Sequence, residues 1–281
     1  MSMQYSHHIT AGRATLAAAV TGAGSPVVFL HAAVCDSRMW QQQWRAVAED
    51  HTAIAYDRRG FGATHAERQD HSAVADLLTV LDIVAGGEPA ILVACSQGGR
   101  VALDAALLHP DRVCGLFLIS PSVAAAPEPS YTPDIAAMLA QQRQAEAAGD
   151  LDQLNAVKAR LWLDGPLQPE NRVTGEKRAL FLEMNGAALR LPPCGANIDN
   201  VSAYQRIGEI TSPTLIVCGS FDFPHIQERC RHIAGMMPNA AFQPLPGTAH
   251  LPSLEQPAII TGLLLSFLQN PGETIQPGRM P

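Results

Sequence analysis

Apolar residues come in short runs along this chain, near 27 to 30, 53 to 56, 90 to 95, 113 to 119, 214 to 218 and 240 to 245. Runs of that length, apolar at nearly every position, have the pattern of strands covered on both faces. Between them apolar positions recur at helical spacing, as Val101, Ala102, Ala105 and Leu108 do before His109-Pro110 ends the segment. Ser72 to Val84 and Pro257 to Leu268 read as further covering helices. The alternation predicts an α/β fold with a mostly parallel central sheet and helices on both faces. Residues 5 to 10 and 14 to 21 predict a leading antiparallel hairpin.

Between Ser120 and Thr211 the pattern changes. A proline-rich bridge, Pro121 to Pro133, precedes helical patterns near 134 to 148, 150 to 163 and 174 to 189. This predicts a helical cap inserted in the sheet protein. The expected division is a core over 1–121 and 206–269, a cap over 122–205, and a loose tail over 270–281, where prolines and glycines gather.

Composition narrows the class. A chain of 281 residues buries roughly three quarters of its unfolded surface, so one core with an insertion is the natural organisation. Hydrophobic content of 47% against 16% charged residues, without repeats, marks a globular chain rather than a disordered one. The net charge of −7 includes no basic cluster, which argues against nucleic acid or an anionic membrane as partner. No apolar stretch reaches the roughly 18 residues of a membrane span. Met1 to His8 lacks the basic and apolar regions of a signal peptide, so a cytoplasmic location is expected. Six cysteines occur without CxxC or Cys/His zinc spacing. Cys95, Cys114 and Cys218 fall in or beside strand runs, where cysteine acts as a small hydrophobe. Neither disulfides nor a metal is expected, and no cofactor is called for.

The candidate chemistry begins at Ala94-Cys95-Ser96-Gln97-Gly98-Gly99, which follows the apolar run Ala90 to Val93 and opens a helical pattern. A serine on a sharp strand-to-helix turn is held in a strained conformation with its hydroxyl above the sheet, and such a turn needs small residues two before and two after it. Ala94 and Gly98 occupy those places. The amide of Gln97, at the helix N-terminus, would then face any oxyanion that forms. A plain turn whose serine only caps the helix is the other reading of the same residues. Farther on, Gly219-Ser220-Phe221-Asp222 follows the run Pro213 to Cys218, and Gly247-Thr248-Ala249-His250 follows Ala241 to Leu245.

Together with Val27 to Ala33, Tyr56-Asp57-Arg58-Arg59-Gly60-Phe61-Gly62 and Leu254-Glu255-Gln256-Pro257, these segments resemble an α/β-hydrolase of the compact, capped kind, close to carboxylesterases and 3-oxoadipate enol-lactonase-like enzymes. The resemblance covers about residues 25 to 268, and the order serine, acid, histidine is that family's. It implies Ser96 as nucleophile, His250 as general base and Asp222 as the carboxylate that orients it. The amides of Gln97 and Ala33 become the oxyanion donors. Two positions depart from the family pattern. Ala94 stands where glycine is commonest in the elbow, and Ala32 replaces the glycine of a His-Gly turn, at a cost on the order of 1 kcal/mol if that turn needs a positive φ.

A serine at the elbow argues against the aspartate-dependent dehalogenases and epoxide hydrolases of this fold. The expected activity is cleavage of a small carboxylic ester or lactone through an acyl-enzyme. The alternatives are a carbon-carbon bond hydrolase of ring-cleavage products, a cofactor-free perhydrolase and, outside catalysis, a ligand receptor on a hydrolase scaffold. Trp162, Met138 and Phe181 are the candidate substrate-binding residues of the cap, and packing within the cap is the competing explanation for each. Arg143, Arg160, Arg178 and Arg190 are candidates to clamp a substrate carboxylate, against a solvated helix surface. Asp57 is read as a turn-stabilising ion pair with its arginine neighbours, and His31 as support for the oxyanion turn. The sequence leaves open whether copies associate into a homo-oligomer.

Overall fold

A computed structural model of the chain describes residues 3–271. Residues 272–281 of the tail expected over 270–281 lie outside the described residues. The strands are β1 (His7–Ala11), β2 (Ala14–Thr21), β3 (Pro26–Leu30), β4 (Thr52–Tyr56), β5 (His65–Ala66), β6 (Ala90–Cys95), β7 (Val113–Ile119), β8 (Thr214–Gly219) and β9 (Ala240–Leu245). They form one sheet in the order β1-β2-β4-β3-β6-β7-β8-β9, with the short β5 on β2. Strand β2 pairs antiparallel with β1, β4 and β5, and the pairings β4–β3, β3–β6, β6–β7, β7–β8 and β8–β9 are all parallel.

The unbroken apolar runs are explained by two cores, one on each face. Along β3, Val28 and Leu30 belong to one cluster while Val27 and Phe29 belong to the other. Strand β6 divides in the same way, Leu92 and Ala94 against Ile91, Val93 and Cys95. Successive side chains point to opposite faces, so a strand buried on both sides needs no polar alternation. The first face is covered by α2 (Ala73–Ala85), α3 (Gln97–Leu108) and α8 (Pro224–Met236), the second by α1 (Gln41–Val47) and α10 (Pro257–Gln269). Helix α2 starts where Ser72 Oγ accepts the Ala75 amide and stops at Gly86, with φ 61°. The buried stripe of α3 is Val101, Ala102, Ala105 and Ala106; Leu108, placed on that stripe by its spacing, is 45% exposed. Cys114 departs from expectation in the same way, being exposed on β7.

Between β7 and β8 the chain leaves the sheet for α4 (Pro133–Ala148), α5 (Leu151–Ala159), a π-helical turn over Arg160–Asp164, α6 (Gly175–Arg190) and α7 (Ala203–Arg206). The short helix α9 (Pro252–Glu255) precedes α10. Among the described residues no helix is long and apolar enough to cross a membrane.

Candidate active site

The strand order reverses between β3 and β6: the chain runs from β3 outward to β4 and returns to β6 on the other side. Ligands of open α/β sheets bind at the carboxyl ends of the strands at such a switch point. Here His31, Ala32 and Ala33 leave β3 while Ser96 and Gln97 leave β6.

Ser96 has φ 53° and ψ −117°, a conformation that costs a non-glycine residue about 1–3 kcal/mol. Its amide donates to Ile119 O at 3.0 Å, and its carbonyl accepts the Ser122 amide at 2.9 Å and the Arg100 amide at 3.2 Å, so both neighbouring elements hold the turn. A Cβ at Gly98 would stand 2.3 Å from Leu30 O, which makes glycine obligatory where α3 starts against β3. The Gln97 amide is the first of α3 and has no partner within the helix. Ala33 is exposed, and its amide donates to no backbone carbonyl among the described residues. Ala32 is fully buried and is not among the positive-φ residues, so alanine in place of glycine carries no strain there. His31 donates from Nδ1 to Ala32 O at 2.8 Å and accepts the Arg58 amide on Nε2 at 3.1 Å. Burial holds its imidazole neutral, with a pKa well below the usual histidine value.

The acid and the base approach from β8 and β9. Phe221 N donates to Thr248 O at 2.8 Å and Gly247 N to Ser220 Oγ at 3.0 Å, tying the two loops together. Asp222, whose side chain is fully buried, accepts the Phe223 amide on Oδ1 at 2.8 Å and His250 Nδ1 on Oδ2 at 2.7 Å. That bond fixes the imidazole tautomer with the proton on Nδ1. His250 Nε2 is buried and has no hydrogen-bond partner among the described residues. Ser96 Oγ and His250 Nε2, expected within bonding reach, are therefore not hydrogen-bonded to each other; such bonds often tighten only around substrate. The two segments are still adjacent, since Cys95 Sγ lies 3.7 Å from His250 O. Burial raises the Cys95 thiol far above its ordinary pKa, so it stays protonated and unreactive.

Of the three cap residues, Trp162 is the one set against the imidazole, with ring centroids 4.6 Å apart. The π-helical turn carries it there, and Phe223 packs on the same ring at 4.8 Å. Phe181 is fully buried in the second core, so its helical spacing reports packing and not a substrate wall. Met138 is likewise buried, its sulfur 3.2 Å from Arg160 Nε. Three cap arginines are already paired, Arg160 with Glu170, Arg178 with Asp164 and Arg190 with Asp152, and Arg143 is exposed.

Two further residues bear on the site. Asp57 forms no ion pair with its arginine neighbours. Its oxygens accept the Ser37 and Ala63 amides at 2.8 and 2.7 Å, while Arg59 pairs with Asp76. Glu255, read from sequence only as the entry to the last helix, accepts the Ala249 amide at 2.9 Å beside His250 and pairs with Arg172. Its only sequence signal is an acidic residue five positions after the histidine.

Comparison with known proteins agrees with this architecture. A family model described as the alpha/beta hydrolase family matches residues 27–261. The chain is 24% identical over 277 residues to a 2-(acetamidomethylene)succinate hydrolase of Mesorhizobium japonicum, spanning 94% of this chain and 95% of that protein. Among solved structures, an esterase from Exiguobacterium antarcticum superposes with a TM-score of 0.76 at 18% identity, covering 94% of this chain and 99% of its own. The enol-lactonase from Burkholderia xenovorans LB400 does so with 0.74 at 19% identity, covering 95% and 100%. Because the family match runs from β3 through the His250 loop into α10, and so takes in every segment that builds the crevice, this chain belongs to the alpha/beta hydrolase family.

Proposed function

We propose that the chain is a serine hydrolase of small carboxylic esters or lactones, acting through an acyl-enzyme. The observation that carries this reading is the Asp222–His250 bond of 2.7 Å, which leaves Nε2 as an acceptor without a partner among the described residues, in a buried site against Trp162. Ser96 is the nucleophile; His250 Nε2 takes its proton as Oγ attacks the substrate carbonyl. Asp222 stabilises the imidazolium that results, and the amides of Gln97 and Ala33 receive the developing oxyanion. His250 then protonates the leaving alcohol, and a water activated by the same nitrogen opens the acyl-enzyme. Residues 122–205 act as a cap, with Trp162 as the aromatic surface nearest the reacting carbonyl.

The names of the relatives support this class, an esterase and an enol-lactonase among the folds and a hydrolase of an acetamido compound among the sequences. The last favours a second reading, cleavage of an amide-type carbonyl, which passes through the same tetrahedral intermediate. A fluorophosphonate probe followed by peptide mapping tests the nucleophile: one adduct on Ser96 is expected, and none in a folded Ser96→Ala protein. Labelling elsewhere, or equal esterase turnover by Ser96→Ala, would refute it. A panel of esters, lactones, amides and vinylogous diketones then separates the chemistries.

A further inference from the structure

Trp162 lies against the imidazole of His250 because of how the turn that carries it is built. In the π-helical turn Arg160–Asp164 both neighbours of Trp162 are fully buried, Leu161 in one core and Leu163 in the other, and the indole packs against both cores at their seam. Turns of this kind are rare and occur frequently at functional sites. Gly165 ends the turn with φ 97°, and a Cβ there would stand 2.6 Å from Phe221 O and 3.3 Å from Ala249 Cβ. The turn thus abuts the residue before Asp222 and the residue before His250. Arg172 joins the same parts, donating to Leu163 O at 2.9 Å and to Gly247 O at 3.2 Å. The position of the indole is therefore set by the two loops that carry the acid and the base.

The two ring centroids are 4.6 Å apart with the planes tilted by 54°, closer than two rings that meet edge to edge. An indole attracts a cation within about 6 Å of its ring centroid, and does so more strongly where water is excluded. The His250 side chain is 2% exposed. When Nε2 takes the serine proton, an imidazolium appears in a place where a buried charge is costly. Asp222 offsets that cost from the Nδ1 side. The indole offsets it through its π-system and forms no hydrogen bond with the ring, which leaves Nε2 free to pass the proton to the leaving group. Neutral imidazole gains less from the same contact. The gain therefore falls on the charged state, where it lowers the barrier.

We infer that Trp162 is an electrostatic partner of His250, its π-system stabilising the imidazolium that forms during acyl transfer. The part of this inference that concerns turnover rests on the hydrolytic reading; the attraction between indole and imidazolium does not.

Tryptophan analogues carrying one to four fluorines on the benzo ring nearly keep the shape of indole and withdraw its π-density stepwise, so packing and electrostatics separate. The chain has three tryptophans, and the other two, Trp40 and Trp44, lie in the second core. In protein labelled with carbon-13 at histidine Cε1, the His250 resonance, identified by its loss in His250→Gln, is titrated across the series. Its midpoint is expected to move to lower pH by about one unit from tryptophan to tetrafluorotryptophan. Trp162→Phe, with fluorine only at Trp40 and Trp44, is expected to show no movement. Trp40→Phe/Trp44→Phe, fluorinated at Trp162 alone, should show all of it, and serves if Trp162→Phe does not fold. The ionisable groups around the imidazole are the same in every member of the series: Asp222 on Nδ1, Cys95 against the His250 carbonyl, His225 beyond Phe223, and Glu255 on the Ala249 amide. The rate constant for acylation of Ser96 by p-nitrophenyl acetate, read from the burst, should fall several-fold over the same series. The inference is overturned if the midpoint ignores fluorine number, as it would for a ring that only packs, if Trp162→Phe moves equally, or if acylation is unchanged while the midpoint moves. A fluorine-dependent midpoint without Ser96-dependent cleavage of any ester would sink the hydrolytic reading and leave the attraction standing. Ser96-dependent cleavage with a midpoint blind to fluorine would do the reverse.

Discussion

Asp222 and His250 meet through one hydrogen bond in a dry environment, with both side chains almost wholly excluded from solvent. Replacing Asp222 by Asn lets an amide N–H face Nδ1, which favours the tautomer with its proton on Nε2, where serine must be deprotonated. The Asp222→Asn protein is expected to lose about 10³- to 10⁴-fold in kcat, read with a chromogenic ester. A rate within tenfold of wild type would remove Asp222 from the proposed mechanism.

Gly219, at the end of β8, has no room for a side chain: an added Cβ would stand 2.1 Å from Ala249 O and 2.3 Å from Thr248 O. Gly219→Ala therefore pushes the loop of His250 away from the loop of Asp222. The expected cost is about 1–3 kcal/mol of stability, with a fall in kcat of about 100-fold from the displaced imidazole. Thermal melts and ester kinetics on the same preparation check both, and retained activity would mean that the histidine loop adjusts freely.

Arg172 joins the segment before α6 to the histidine loop. It donates to Leu163 O, Asp164 O and Gly247 O, and forms an ion pair with Glu255. Burial raises the Glu255 carboxyl above its ordinary pKa, and Arg172 opposes that rise. In Arg172→Ala the folded-state pKa climbs further above the unfolded one, so stability is lost as pH rises through it. The substitution is expected to cost about 2–4 kcal/mol at pH 8 and clearly less at pH 5 in urea titrations. Equal losses at the two pH values would assign the whole effect to the carbonyl contacts.

Asp104, buried on α3, has its carboxyl pushed up to about 6 by burial, with Arg100 only partly offsetting the effect. Its folded pKa exceeds the unfolded value, so the folded state binds the proton more tightly, and ionisation subtracts stability as pH rises through about 6. Asn cannot ionise. Asp104→Asn is expected to be about 1 kcal/mol more stable than wild type at pH 8, allowing for screening near the helix surface, and no more stable near pH 4. Destabilisation at pH 8 would show that the Arg100 attraction outweighs the burial.

The sheet was legible because burial on both faces leaves a signal that competing effects rarely imitate. The runs at 90 to 95 and 113 to 119 coincide with β6 and β7, and the turn at Ser96 adopts the positive φ that its small neighbours predict. Residues whose importance comes from a distant partner were not legible. Arg58 sits beside Asp57 in sequence yet bonds to His31 and Gln97, while Asp57 turns to the amides of Ser37 and Ala63. Phe181 and Trp162 are both aromatic and both lie in helical patterns, but the π-helical turn sends one to His250 while α6 buries the other. Helical periodicity specifies a face and cannot say what the face meets.

The chain leaves β7 and re-enters at β8, two strands that pair directly, Leu116 with Thr214 through Ile119 with Val217. The ends of the excursion are thus clamped side by side by backbone bonds that ignore whatever lies between them. Insertions or deletions in that interval need not disturb the ladder, provided they spare Ser122, Trp162 and Arg172, which reach the loops that follow β6 and β9. On the proposed function, selectivity can change in that interval while the strand ends on either side of it stay paired.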